Sequence, residues 1–318
     1  MALHPKIAEI LAGFPAPEPG PLDPAAMRAG EESQVPPEAS RIPVAEVRDA
    51  VVPGSDADGV PVRIYRDATD AEGSGVIVYV HGGAFFLGSL DTHDHVARSL
   101  AVETGLTVVS VGYRRAPEAA FPAGLDDVLA AVRWAAEHGD ELGQQPGRQH
   151  GQGGTLALVG DSSGGTFVAA AVALLHDEGF ERVTHQVLYY PSLDLDFDES
   201  RYPSLVENAV GFGMETAGLA PFNAFYLDSG ADPADPRVSP IKRDDLTGLP
   251  AALILTAEHD PLRDEGERYG ERLREAGVPV RVTRYEGAGH GFVQHFGWLP
   301  EYHRAYVETA EFLRGAPA

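Results

Sequence analysis

The chain has 318 residues, 43% of them hydrophobic and 23% charged, and 48 acidic against 24 basic residues give a formal net charge of −24. Such a charge repels phosphate backbones and anionic lipid surfaces, which argues against nucleic-acid and peripheral-membrane partners. There is no cysteine, which excludes disulfides, thiolate catalysis, cysteine-ligated zinc and iron–sulfur clusters; Lys6 and Lys242, the only lysines, follow no glycine-rich phosphate-binding turn.

Taken from the start, residues 4–13 read as a short amphipathic helix. Lys6 is the sole basic residue there and Glu9 interrupts the apolar stretch, which makes a poor secretory leader. No apolar run approaches the roughly 18 to 20 residues that span a bilayer, so a soluble cytoplasmic protein is expected. Residues 14–37 are rich in Pro, Ala and Gly, with a second helix around 24–32, a composition foreign to a central sheet. Residues 42–51 and 60–65 alternate polar and apolar, as half-buried antiparallel strands do, and 67–74 read as a turn.

Five continuous apolar runs follow, at 76–80 (VIVYV), 107–111 (TVVSV), 156–159 (LALV), 187–190 (VLYY) and 252–256 (ALILT), and an alternating strand closes the series at 280–285. Helical patterns at 93–104, 123–138, 164–178 and 264–276 lie between them. Fully buried strands alternating with helices predict an α/β fold whose mostly parallel sheet is covered on both faces. Residues 144–154 read as a polar Gly/Gln-rich loop without a function. Residues 194–245 break the alternation: they carry Phe197, Tyr202, Phe212, Phe222, Phe225 and Tyr226 but no long strand. Those aromatics need a surface to bury against. Residues 1–45 and the 194–245 insertion are therefore read as a helical cap over a core formed by 46–193 and 246–318.

The sharpest chemical signal is Gly160-Asp161-Ser162-Ser163-Gly164-Gly165, a G-x-S-x-G pattern between a buried strand and a helix. A serine thrust out at such a turn crowds the residues two before and two after it, so both must lack a Cβ. The helix start adds positive dipole character beside Ser162. Ser163 is a rival nucleophile at the wrong position of the turn; its backbone N–H, not its hydroxyl, is expected to matter. A second signal, His81-Gly82-Gly83-Ala84, follows strand 76–80, where consecutive small residues let backbone N–H groups face an oxyanion. His81 itself reads as a structural residue.

A serine nucleophile needs a base, and the base a carboxylate to orient it. His290 lies in the glycine-flanked run Glu286–Phe292 after strand 280–285, and Asp260 follows strand 252–256. The order Ser162, Asp260, His290 is that of α/β-hydrolases, with each residue at the C-terminal end of a strand. His259, His295, His93 and His95 compete with His290, but only His290 sits in such a turn. Glu258 and Asp264 compete with Asp260, which is preferred because Pro261 ends the turn and Asp264 begins a helix. His93-Asp94-His95 could ligate a metal, but without a third ligand it reads as a solvated helix start.

HGGAF and GDSSGG, with the intervening YRRAPE and then DPLRDEG and GAGHGF, make the chain resemble the hormone-sensitive-lipase-like family of bacterial carboxylesterases from about residue 40 to the end. The resemblance implies Ser162 as nucleophile, His290 as base and acid, Asp260 as its partner, and the N–H groups of Gly83, Ala84 and Ser163 as the oxyanion hole. Such proteins usually have a third glycine where Ala84 stands and alanine at Ser163. The resemblance also implies the cap and needs no metal or organic cofactor. A serine carboxylesterase for small, fairly apolar esters of short-to-medium acyl chains is expected. An amidase or thioesterase on the same triad, and a ligand receptor on a hydrolase fold, are the alternatives. A homodimer is left open.

Overall fold

The computed structural model describes residues 2–13, 21–67, 75–139, 142 and 154–315. Residues 144–153 of the expected 144–154 loop, 68–74 of the expected 67–74 turn and 14–20 of the Pro-rich stretch lie outside the described residues. Two helices come first, α1 (Pro5–Ala12) and α2 (Pro24–Glu32), each with a proline near its start. Eight strands form one sheet: β1 (Glu46–Val52), β2 (Val60–Arg66), β3 (Gly75–Val80), β4 (Thr107–Val111), β5 (Thr155–Asp161), β6 (His185–Tyr189), β7 (Ala251–His259) and β8 (Val280–Gly289). Between and after the strands lie α3 (Asp94–Thr104), α4 (Ala123–Glu137), α5 (Ser163–Asp177), α6 (Ser204–Glu207), α7 (Thr216–Leu227), α8 (Arg263–Glu275), α9 (Phe292–Phe296) and α10 (Pro300–Leu313).

The strand order is β1-β2-β4-β3-β5-β6-β7-β8. β2 pairs antiparallel with β1 and β4, and every other pairing is parallel. β1 starts four residues later than the alternation predicts, because Pro43 has no N–H for a ladder. Each apolar run divides its side chains between two cores. Val76, Val78 and Val80 belong to the core that holds Leu125 of α4 and Phe167 of α5, whereas Ile77 and Tyr79 belong to the one that holds Val96 and Leu100 of α3 and Tyr306 of α10. The helix α10 is absent from the sequence reading, although Tyr302, Ala305, Tyr306, Ala310 and Leu313 recur at helical spacing and are all buried. Among the described residues no helix is long and apolar enough to cross a membrane.

Topology decides where a site forms. From β3 the chain adds β4 on one side and then β5 on the other. The connections leaving β3 and β5 therefore part in opposite directions and open a crevice at the C-terminal ends of those strands. Helices α2 and α7 border this crevice: Phe222 and Phe225 of α7 pack on Phe86, Tyr226 stacks on Phe85 with ring centroids 3.9 Å apart, and Arg28 of α2 donates to the Phe86 carbonyl.

Candidate active site

Ser162 stands between β5 and α5 with φ 53° and ψ −120°, a conformation that L-residues rarely adopt. The neighbouring glycines make it accessible. A Cβ on Gly160 would run into the Gly164 carbonyl, and one on Gly164 into the Val80 carbonyl of the adjacent strand. The elbow is thus pressed against the end of β3 as well as folded on itself. Its backbone is tied down by Ser162 N–H to the Tyr189 carbonyl (2.9 Å).

His290 follows the last residue of β8 and Asp260 the last of β7, so the register of this parallel pair sets them side by side. The imidazole lies between the two other residues: Nε2 is 2.9 Å from Ser162 Oγ and Nδ1 is 2.8 Å from Asp260 Oδ2. An ionised carboxylate only accepts, so the arrangement suits Nδ1–H donating to Asp260 and Nε2 accepting from the serine hydroxyl. Asp260 is fully buried, and its Oδ1 accepts the Leu262 N–H at 2.8 Å. The edge of the Tyr190 ring abuts His290, with centroids 4.9 Å apart.

The competing residues are engaged elsewhere. Glu258 accepts the Gly287 N–H at 2.7 Å and Asp264 accepts the Ser204 N–H at 2.8 Å. His259 stacks on Phe212, and His95 Nε2 meets the Gln294 carbonyl. His93 and Asp94 are buried, which corrects the expectation of a solvated helix start. Asp94 takes the Tyr65 hydroxyl (3.0 Å), 29 residues away, and the Arg98 guanidinium (2.7 Å) one turn along the same helix. No cluster of three or more candidate metal ligands occurs among the described residues.

Opposite the serine, Gly83 has φ 116° and Ala84 φ 48°. The Gly83 carbonyl accepts the N–H groups of Phe86 (3.1 Å) and Leu87 (2.7 Å). The trans peptide therefore aims the Ala84 N–H the other way. The amides of Gly83 and Ala84 donate to no other described residue, and Ser163 opens α5, where its N–H has no partner in the helix. The Ser163 hydroxyl also has a part that the sequence reading denied it: Oγ accepts the Phe85 N–H at 3.2 Å, joining the two loops.

Below these loops is a buried polar layer. Asp161 Oδ1 accepts the Tyr79 hydroxyl (2.6 Å) and the Gly82 N–H (3.0 Å), and burial pushes its carboxyl up to about 6. His81 stacks between Tyr113 (4.3 Å) and His93 (5.2 Å), and burial lowers its pKa to about 4, which keeps it neutral near pH 7. This agrees with its structural reading. Asn208, from the 194–245 segment, donates its side-chain N–H to the Asp260 carbonyl at 3.0 Å. No local pattern marks Asn208, because its partner is 52 residues away.

Residues 77–294 match a family described as the alpha/beta hydrolase fold. The chain belongs to that family. The esterase LipI of Mycobacterium tuberculosis is 40% identical over 263 residues, which cover 81% of this chain and 78% of that protein. The carboxylesterase NlhH of the same organism is 40% identical over 256 residues, 79% of this chain and 77% of its own. Among solved structures, a hyperthermophilic esterase from Pyrobaculum calidifontis superimposes with a TM-score of 0.86 at 36% identity, covering 99% of this chain and 98% of that one. These relatives bear out the likeness to hormone-sensitive-lipase-like carboxylesterases and the α/β-hydrolase architecture expected from the motifs.

Proposed function

We propose that this α/β-hydrolase is a serine carboxylesterase that cleaves small, fairly apolar esters of short-to-medium acyl chains through an acyl-enzyme. One observation carries the reading: a single imidazole lies within hydrogen-bond distance of both the Ser162 hydroxyl and the buried Asp260 carboxylate. Ser162 Oγ attacks the ester carbonyl while His290 Nε2 takes its proton. Asp260 holds the tautomer and stabilises the imidazolium. The N–H groups of Gly83, Ala84 and Ser163 receive the oxyanion; a preorganised donor of this kind is worth about 3 to 4 kcal/mol in the transition state. His290 returns the proton to the departing alcohol. Water then attacks the acyl-enzyme by the same route, and its proton passes to His290 and on to Ser162.

In this reading residues 1–45 and 194–245 act as a cap that shapes the pocket, supported by the packing of Phe222, Phe225 and Tyr226 on Phe85 and Phe86. The Ala84 Cβ narrows the acyl side. Turnover of p-nitrophenyl acetate and butyrate by the native chain, abolished in a folded Ser162→Ala variant, is the expected result. Full activity in that variant would remove Ser162 from the mechanism, and tight ligand binding without turnover in the native chain would favour the receptor reading.

A further inference from the structure

The turn that carries Gly83 and Ala84 is strained. Ala84 and Phe85 hold φ of 48° and 67° in succession, without glycine at either position. Such backbone persists only where its surroundings over-determine it. Two of its fastenings come from the elbow, where Asp161 takes the Gly82 N–H and the Ser163 hydroxyl takes the Phe85 N–H. Others come from outside the hydrolase core. Arg28 of α2 donates Nε to the Phe86 carbonyl (2.6 Å) and Nη2 to the Ala116 carbonyl (2.5 Å), and its fork also binds Glu118 through two bonds of 2.8 Å. One turn further along α2, Glu31 accepts the Gly88 N–H at 3.0 Å and Glu32 accepts the Ser89 hydroxyl at 2.6 Å.

Positions 28, 31 and 32 share one face of a helix. No residue of α2 is buried, so these polar bonds and not an apolar stripe attach it. The Arg28 side chain is itself largely covered, at 17% exposure. Its Phe86 contact has a specific consequence. The Phe86 and Leu87 amides grip the Gly83 carbonyl, and that carbonyl sets the plane of the peptide whose N–H is that of Ala84. Holding Phe86 therefore holds the direction of the Ala84 donor.

We propose that Arg28 is a positioning residue for ester hydrolysis: acting through Phe86, it fixes the Gly83–Ala84 peptide so that the Ala84 N–H faces the oxyanion. This rests on the esterase reading above and gives α2 a part in the chemistry beyond covering the crevice. An arginine is suited to it because one planar fork serves two carbonyls and a carboxylate at once; a lysine ammonium cannot reach all three in that geometry. The strain at residues 84 and 85 gives the turn a reason to relax when this hold is removed.

The test compares native, Arg28→Ala and Arg28→Lys chains on p-nitrophenyl butyrate and against an aryl trifluoromethyl ketone. Addition of the serine oxygen to that ketone places a hemiketal oxyanion on the donors without turnover. Native and Ser162→Ala assays run alongside and judge the esterase reading independently. For Arg28→Ala the expected result is a fall in kcat of about tenfold, a KM within about twofold of native, and an inhibition constant raised by about the same factor as kcat falls. Arg28→Lys should fall between. An unchanged kcat overturns the proposal, as does a lower kcat with an unchanged inhibition constant, which is what loose docking of α2 alone would give. Should Arg28→Ala fail to fold, Arg28→Lys is judged by the same paired change.

Discussion

Replacing Asp161 by asparagine should stabilise the fold while slowing turnover. The carboxyl is 1% exposed; Oδ1 has two donors, but Oδ2 has no hydrogen-bond partner and faces His93 Nε2 at 3.8 Å. Burial raises its pKa from the ordinary 3.8 to about 6. A carboxyl whose folded pKa lies above the unfolded one binds its proton more tightly when folded. Its contribution to stability is therefore lost as pH rises from about 4 to about 6, and the loss is complete above that. Linkage puts the penalty at about 3 kcal/mol at pH 8 and about half of that at pH 5.

Asparagine retains the Oδ1 acceptor for Tyr79 and Gly82, has no charge to desolvate, and presents an amide N–H to His93 Nε2. The variant should gain up to about 3 kcal/mol at pH 8 and distinctly less at pH 5. Urea unfolding of both chains at the two pH values measures it. A variant less stable than native at pH 8, or a difference that does not change with pH, would refute the reasoning. Turnover should decline because the charge of Asp161 favours the imidazolium that forms at His290, an exchange of stability for activity.

Other outcomes follow from the same geometry. Asp260→Asn should lower kcat by about 10³- to 10⁴-fold by favouring the wrong imidazole tautomer, whereas Asp264→Asn, which leaves one acceptor oxygen for the Ser204 N–H and the Arg263 guanidinium, should leave kcat nearly native; a larger loss in Asp264→Asn would reverse the choice of acid. In Ala84→Gly the left-handed φ of 48° no longer costs its roughly 1 kcal/mol, and the acyl side gains room. The ratio of p-nitrophenyl hexanoate to acetate turnover should therefore rise, and an unchanged ratio would mean that the Ala84 Cβ does not border the acyl chain.

Much of the site is legible in the amino-acid sequence. The elbow folds Gly160 onto Gly164 four residues on, so its strand, turn and helix had to appear in one short stretch, although the need for glycine at 164 comes from the Val80 carbonyl of the neighbouring strand. Asp260 and His290 could be placed because a parallel sheet brings the C-terminal ends of its strands to one edge, whichever loops lie between. Where only one local pattern was needed, as at 107–111, strand limits coincided with the observed ones. The α10 helix was missed although its apolar spacing was present, and the solvated reading of His93 failed because nothing nearby in sequence marks the groups that bury it.

Chain order and local sterics thus determined the class of the protein and pointed to Ser162, His290 and Asp260 as the residues proposed for its chemistry, since those depend on backbone constraints that a few adjacent residues impose. The tertiary structure alone decided what surrounds them. Arg28 reaches Phe86 and Ala116 across 58 and 88 residues, Asn208 reaches Asp260 across 52, and Asp161 owes its raised pKa to burial, which outweighs the opposing bonds from Tyr79 and Gly82. Polar partners of this kind leave no periodicity, because a hydrogen bond between distant segments constrains one residue at each end and nothing beside it.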